Sequence, residues 1–240
     1  MGTLFSRLTL LLGFLTAALI VGAAPLYRFA GFSLENAFAL LKFGTYAAAA
    51  TILLSVIWVV AAAVTRSGSG LLLVVIGVVL AVGAGQAPLR MKAKADSVPF
   101  IHDITTDTAA PPAFVALVPV RASAPNGVDY TTDPAEQLKG YPDIKTFKST
   151  KPAAELFEKA LAVAKTMKWD VVSSSSDEGR IEATDTTAWW GFKDDIVIRV
   201  AADGNGSKLD IRSMSRVGKS DLGKNAERIR AFLAALAEMG

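Results

Sequence analysis

The feature that most constrains this chain is the uneven distribution of charge along its 240 residues. Three long stretches within the first 90 residues carry no charged side chain. A helix needs about 20 apolar residues to cross a bilayer, and a charge at its centre costs roughly 3 kcal/mol. The pattern therefore predicts three transmembrane helices, at about 7–27, 43–65 and 68–88, in an anchor formed by residues 1–90.

The first apolar stretch also has features of a secretory signal peptide. It follows Arg7 and reaches the small residues Gly22, Ala23 and Ala24, which suit a cleavage site. We favour an uncleaved span because the stretch is longer than a usual signal core and two more spans follow it.

The basic residues beside the spans indicate which side the C-terminal part occupies. Three spans place the two ends of the anchor on opposite sides of the membrane. Arg7 and Arg66 fall on one side, and a larger group falls on the other: Arg28, Lys42, Arg90, Lys92 and Lys94. The positive-inside rule, counted plainly, puts the C-terminal domain in the cytoplasm.

The composition excludes several classes of function. The sequence has no cysteine, which rules out disulfides, thiolate metal sites and a cysteine nucleophile. The net charge is only +3, and no block of basic residues resembles a nucleic-acid-binding arm. We expect no cofactor, no metal and no nucleic acid. The expected partners are the lipid bilayer and either a protein or an anionic ligand of the cell envelope.

Residues 91–150 are rich in proline, and only 113–120 have strand-like apolar character. We expect this segment to be an arm packed on the domain core, which is formed by residues 151–240; the alternative is a long functional loop. The core begins with an amphipathic helix, because apolar residues recur at helical spacing after Thr150.

Four strands and a second helix complete the predicted core. Alternating apolar and polar residues predict strands at 169–174, 180–187, 195–201 and 208–215, with an Asn-Gly turn before the last one. Ser220 is a suitable N-cap for the C-terminal helix. This order predicts an α+β fold with two layers, in which an antiparallel four-stranded sheet carries helices on one face.

The other face of that sheet would carry the polar side chains. Arginines beside carboxylates on adjacent strands can bind an anionic ligand, or can form ion pairs on a solvated face. The turn before the last helix adds further donors near a helix N-terminus, where anions are favoured, although Asp221 can fill that role itself. The candidate ligand-binding residues are Arg199, Arg212, Arg216, Ser220 and Arg228.

Catalytic candidates are weaker. His102 is the only histidine and is followed by Asp103, so a carboxylate-held imidazole is conceivable as a general base. Asp194 lies beside Asp195, but adjacent strand residues point to opposite faces. No nucleophile is identifiable, and a structural histidine is the preferred interpretation.

Several motifs in one order resemble the family known as domain of unknown function 1499. They are residues 101–107 (IHDITTD), 181–184 (IEAT), 191–199 (GFKDDIVIR), 210–213 (DIRS) and 215–229 (SRVGKSDLGKNAERI). The resemblance covers about residues 98–236 and implies no established activity. Similar domains occur in exported, lipoprotein-like and thylakoid-lumen settings, which implies a periplasmic domain, against the count of basic residues. The family often has Asn-Cys where this chain has Asn126-Gly127.

These observations favour a bacterial inner-membrane protein whose domain is a non-catalytic binding module of the cell envelope. One alternative is a membrane-bound hydrolase or isomerase that uses His102 with Asp103 or Asp194. Another is an accessory subunit of a larger membrane complex.

Overall fold

A computed structural model describes residues 2–239, which form two compact units. The first unit contains residues 2–93 together with Trp189–Gly191, and the second contains residues 94–188 and 192–239.

Three helices make up nearly all of the first unit: α1 (Gly2–Phe29), α2 (Leu34–Thr65) and α3 (Leu71–Ser97). All three are long and apolar enough to cross a membrane, which confirms the predicted anchor helices. They are longer than the predicted spans because helical hydrogen bonding continues past the charge-free stretches. Ser33 caps α2, and its Oγ accepts a hydrogen bond from Asn36 N at 3.1 Å.

Small residues and aromatic rings pack the first unit. Gly13 and Gly77 lie against each other, and a Cβ on Gly77 would come within 2.5 Å of a carbonyl oxygen of α1. Glycine is therefore required at this crossing. The Trp190 ring lies 5.4 Å from the Phe38 ring and 6.2 Å from the Tyr27 ring, centroid to centroid.

The second unit contains an antiparallel sheet of six strands, where the sequence predicted four. Its strands are β1 (Asp103–Thr105), β2 (Phe147–Ser149), β3 (Asp170–Ser175), β4 (Arg180–Thr186), β5 (Lys193–Asp203) and β6 (Gly206–Ser215). Strands β3 to β6 are the four predicted ones, in the order β6-β5-β4-β3. The three-residue strands β1 and β2 both pair with β6. They were missed because they lie in the proline-rich segment and are too short to show an alternating pattern.

One face of the sheet carries the apolar core. Two helices cover it, α6 (Ala153–Thr166) and α7 (Lys224–Glu238). The strands contribute the side chains predicted for this face, including Ile181, Ala183, Ile196, Ile198, Leu209 and Ile211. Trp169 stacks on Phe232 with ring centroids 5.4 Å apart. The helices lie on the face predicted for them.

The opposite face is covered as well, which corrects the expectation of two layers with a solvated polar face. Residues 106–132 lie over it and include a short helix, α4 (Val118–Arg121). A second short helix, α5 (Pro134–Gly140), lies beside β1, where Gln137 binds the backbone of Thr105. We call residues 106–132 the arm. Residues 113–117 form no strand, contrary to their strand-like character; Phe114 and Leu117 instead pack on Val197 and Met214.

The start of the last helix also differs from the prediction. Ser220 is not its N-cap, because α7 begins at Lys224 and the cap position is Gly223, with φ of 79°. The Asp221 carboxylate does the capping: its oxygens accept hydrogen bonds from Gly223 N at 2.8 Å and Asn225 N at 2.7 Å. Burial raises the pKa of Asp221, and these two hydrogen bonds oppose that rise.

Candidate functional site

Five arginines and five carboxylates meet between the sheet and the arm. We call this set the arm-face cluster: Arg121, Arg180, Arg199, Arg212 and Arg216, with Asp103, Asp107, Glu182, Asp195 and Asp210. Every member forms an ion pair with another member. The opposite charges balance in number, so the cluster needs no external ion to neutralise it.

The Arg212 and Asp103 pair is the most enclosed bidentate contact of the cluster. Arg212 Nε donates to Oδ1 at 2.9 Å and Nη2 donates to Oδ2 at 2.7 Å. Their side chains are 3% and 0% exposed, so neither can meet a dissolved ligand while the arm is in place. Arg212 also donates to the arm carbonyls of Pro112 and Val128. Burial raises the pKa of Asp103, and the Arg212 guanidinium opposes that rise.

Asp195 lies between two arginines from different parts of the chain. Arg121 Nη1 reaches it at 2.7 Å from the arm, and Arg216 binds both carboxylate oxygens at 2.8 Å. Thr184 Oγ1 donates a further hydrogen bond at 2.7 Å. Burial by itself would raise the pKa of Asp195, but the hydrogen bonds from Arg216, Thr184 and Arg121 outweigh it, and the pKa is lowered.

Arg121 is one of the two arginines of the cluster that the sequence did not nominate; the other is Arg180. The Arg121 side chain is fully buried, and it also donates to the carbonyls of Asn126 and Gly127. One signal was available: Arg121 is the only charged residue between Asp107 and Asp129. An isolated charge in an apolar segment that lies against a sheet needs a buried partner.

Glu182 fixes the middle of the arm. Its carboxylate accepts three backbone hydrogen bonds at 2.9–3.0 Å, from the N–H groups of Val115, Ala116 and Leu117. The Glu182 side chain is fully buried, and Arg180 Nε lies 3.3 Å from it. Hydrogen bonds from several N–H groups to one carboxylate are among the stronger kinds in proteins. They explain why an irregular segment holds one position.

Arg199 is the most exposed predicted ligand-binding residue within the cluster, with 34% of its side chain accessible. Its Nη2 donates to Asp107 at 3.0 Å and to Asp210 at 2.9 Å. Asp210 also accepts hydrogen bonds from Thr106 and Thr146. Arg199 therefore joins the arm to β6, with two carboxylates around one guanidinium.

The remaining predicted residues lie elsewhere. Arg228, on α7, donates to Asp194 and Asp185, each at 2.7 Å, on the helix-covered face. Asp194 and Asp195 thus point to opposite faces, as expected for neighbours on a strand. Ser220 lies in the turn before α7, where its Oγ accepts a hydrogen bond from Leu222 N at 3.3 Å. The structure brings Arg199, Arg212 and Arg216 onto one face and leaves Arg228 and Ser220 outside that group.

His102 is hydrogen-bonded to the rest of the domain through its backbone. Its backbone carbonyl accepts hydrogen bonds from Asn225 Nδ2 at 2.8 Å and from Ser215 N at 3.0 Å, which is a structural role. The Asp103 carboxylate is engaged by Arg212. Within residues 2–239, no group of three or more His, Cys, Asp or Glu side chains could hold a metal ion.

The fold and the cluster define a class: a protein with three candidate membrane helices and an α+β domain whose sheet is closed by helices on one face and by a charge-bound arm on the other. Residues 103–236, more than half of the chain, match the family described as protein of unknown function (DUF1499). The chain belongs to that family, as its motifs suggested.

Other comparisons add little. No curated protein matches the chain. Among solved structures, one described as the crystal structure of Ara h 8.0201 is similar, with 12% identity over 39% of this chain and 95% of that chain. Its TM-score of 0.22 carries no argument about fold or function.

Proposed function

We propose that the protein is a membrane-anchored, non-catalytic interaction module of the cell envelope, and that the outer side of the arm is its contact surface. One observation carries this proposal. The inner side of the arm is fixed by the buried Arg121–Asp195 ion pair and by hydrogen bonds to Glu182 and Arg212. Its outer side exposes the apolar side chains of Val115, Val118 and Val120. A rigid segment with apolar side chains directed outward is suited to contact another surface.

The geometry favours this function over the alternatives. Asp103 and Asp194 would each have to leave an arginine before they could act as a base. An anionic ligand at Arg199 or Arg212 would have to compete with carboxylates already bound there. The balance of charges in the arm-face cluster therefore favours an apolar contact over recognition of an anion.

Photo-crosslinking in native membranes tests the contact surface. A benzophenone amino acid at Val118 should form adducts with a neighbouring molecule, whether protein or lipid. The matched control carries the same probe at Val172, an exposed valine of β3 outside the arm. Equal yields of adduct at the two positions would contradict the proposal.

We also propose that the anchor lies in a bacterial inner membrane with the domain in the periplasm. The settings in which similar domains occur support this placement, and the count of basic residues opposes it. C-terminal fusions to alkaline phosphatase, which is active outside the cytoplasm, and to green fluorescent protein, which is active inside, decide between them. Active phosphatase supports the placement, and fluorescence alone overturns it.

A further inference from the structure

The outer side of the arm carries a group of exposed apolar side chains, which we call the valine patch: Ala113, Val115, Val118, Pro119 and Val120. The three valines are 51%, 39% and 47% exposed in chain order. Arg121, the only charged residue between Asp107 and Asp129, is buried against Asp195, so its charge does not reach the patch. The five side chains of the valine patch are therefore apolar and uncharged.

We infer that the valine patch contacts the surface of the lipid bilayer in which the chain is anchored. This inference rests on the proposed function, since it names the occupant of the same surface. The partner is the apolar boundary beneath the lipid headgroups, where the transfer of valine and proline side chains out of water is favourable. Because the patch has no charged side chain, this transfer does not require a charge to be dehydrated.

The chain itself keeps the patch near a bilayer. Helix α3 ends at Ser97, and only residues 98–112 precede the valine patch. Even fully extended, such a segment spans no more than about 50 Å. A tethered surface meets its partner at a high effective concentration, so a weak contact is enough to be populated.

The size of the patch favours lipid over a protein partner. A stable protein interface buries about 1,200–2,000 Å² in total and has matching shape. Five small side chains cannot supply that area by themselves. A bilayer surface requires no complementary shape, and the three helices already provide the stable attachment.

The absence of cysteine allows a direct experiment on the full chain. A single Val118→Cys variant carrying a polarity-sensitive fluorophore is reconstituted into phosphatidylcholine vesicles that contain a lipid-attached nitroxide quencher. We expect blue-shifted emission and quenching at this position. The same label at Val172→Cys should remain in water and show neither effect. Water-like, unquenched emission at both positions overturns the inference.

A second variant checks that the apolar side chains cause the contact. Val120→Asp, added to the labelled Val118→Cys chain, should lower the ratio of lipid-contacting to free label by about tenfold or more, the factor for withdrawing one valine from an apolar environment. Val172→Asp is the matched control and should leave the ratio unchanged. Adding phosphatidylglycerol should have little effect, because the patch is neutral. An unchanged ratio for Val120→Asp contradicts the inference.

The two experiments separate the inference from the proposed function. Protein adducts at position 118 in native membranes, with no quenching in pure lipid vesicles, would refute the lipid contact and support a protein partner at the same surface. No adduct beyond the control and no quenching would refute both.

Discussion

The two faces of the sheet are closed by different chemistry. On one face, α6 and α7 bury mainly aliphatic and aromatic side chains, with one ionic group where Arg228 binds Asp194 and Asp185. On the other face, the arm is held mainly by ion pairs and by hydrogen bonds from its backbone to charged side chains, with a small apolar group around Phe114. The Phe114 ring itself lies 4.9 Å from the Arg212 guanidinium and 5.2 Å from that of Arg121.

The difference shows how an irregular segment can be fixed in place. Apolar burial is not directional, so it suits helices whose own hydrogen bonds already define their shape. The arm has little regular structure, and its placement needs directional contacts. The Arg121–Asp195 pair, the Glu182 carboxylate bound by three N–H groups and the Arg212 guanidinium bound to two arm carbonyls supply them. The cost is that each buried charge depends on its partner.

Arg212→Ala should produce the largest effect. It leaves the Asp103 carboxylate buried without a partner, and the expected loss of stability is about 3–5 kcal/mol. Hydrogen exchange of the β6 amides, measured on the full chain in detergent, reports the free energy of opening. The helix-covered face offers a comparison, because Phe232→Ala should cost a similar amount by creating a cavity.

A double substitution separates the two mechanisms. Asp103→Leu combined with Arg212→Met removes both charges, and it should be less destabilising than Arg212→Ala alone. Removal of a second side chain would not rescue the cavity left by Phe232→Ala, because it would enlarge that cavity. A cost below about 1 kcal/mol for Arg212→Ala, the value of an exposed pair, would mean that burial adds nothing to this pair.

Glu182→Gln should have a smaller and more local effect. The amide keeps the size of the side chain but removes the charge that three N–H groups share, at a cost of about 1–3 kcal/mol. Exchange of the amides of residues 115–117 should become faster, while β5 and β6 change little. Glu178→Gln is the control, because Glu178 pairs with Arg180 at an exposed site. Equal protection of the arm amides in both variants would contradict a role for Glu182.

Sequence patterns predicted the apolar half of the domain well. Strands β3 to β6 and the two core helices follow from local periodicity, and the assignment of Ile196 and Ile211 to the core face follows from alternation. These features depend on residues close together in the chain. The same alternation also placed Arg199 and Arg212 together on the other face.

The sequence predicted that residues 91–150 form an arm packed on the core, but local patterns could not predict the face on which it lies or the contacts that hold it. Strand β1 exists because Asp103–Thr105 pairs with residues 212–214, more than a hundred positions away. Arg121 is buried because Asp195 is buried beneath it. Neither partner is visible in the surrounding sequence, so a charged face was expected to meet solvent. Contacts of this kind depend on tertiary placement, which overrides local preference.

The exposed Arg230–Asp143 pair has the same geometry as the buried Arg212–Asp103 pair, so a comparison of the two isolates the effect of burial. Arg230 binds Asp143 through Nε and Nη2 at 2.5 and 2.8 Å, the same two-point contact that Arg212 makes with Asp103. The Asp143 side chain is 53% exposed. The hydrogen bonds from Arg230 lower the pKa of Asp143, whereas burial raises the pKa of Asp103.

Asp143→Asn should therefore have the smallest effect, a loss of no more than about 1 kcal/mol at neutral pH, because water screens an exposed pair. The lowered pKa of Asp143 means that the pair stabilises the fold above the unfolded value of about 4, and that this contribution is lost as the pH falls through the folded pKa. The raised pKa of Asp103 has the opposite consequence. The fold favours the protonated Asp103 carboxyl, and this stabilisation is lost as the pH rises through the folded pKa of Asp103. Hydrogen exchange of α7 amides across this range should show wild type and Asp143→Asn converging in acid. A difference that persists below pH ~3, where an unperturbed aspartate is mostly protonated, would mean that Asp143 acts through packing and not through its charge.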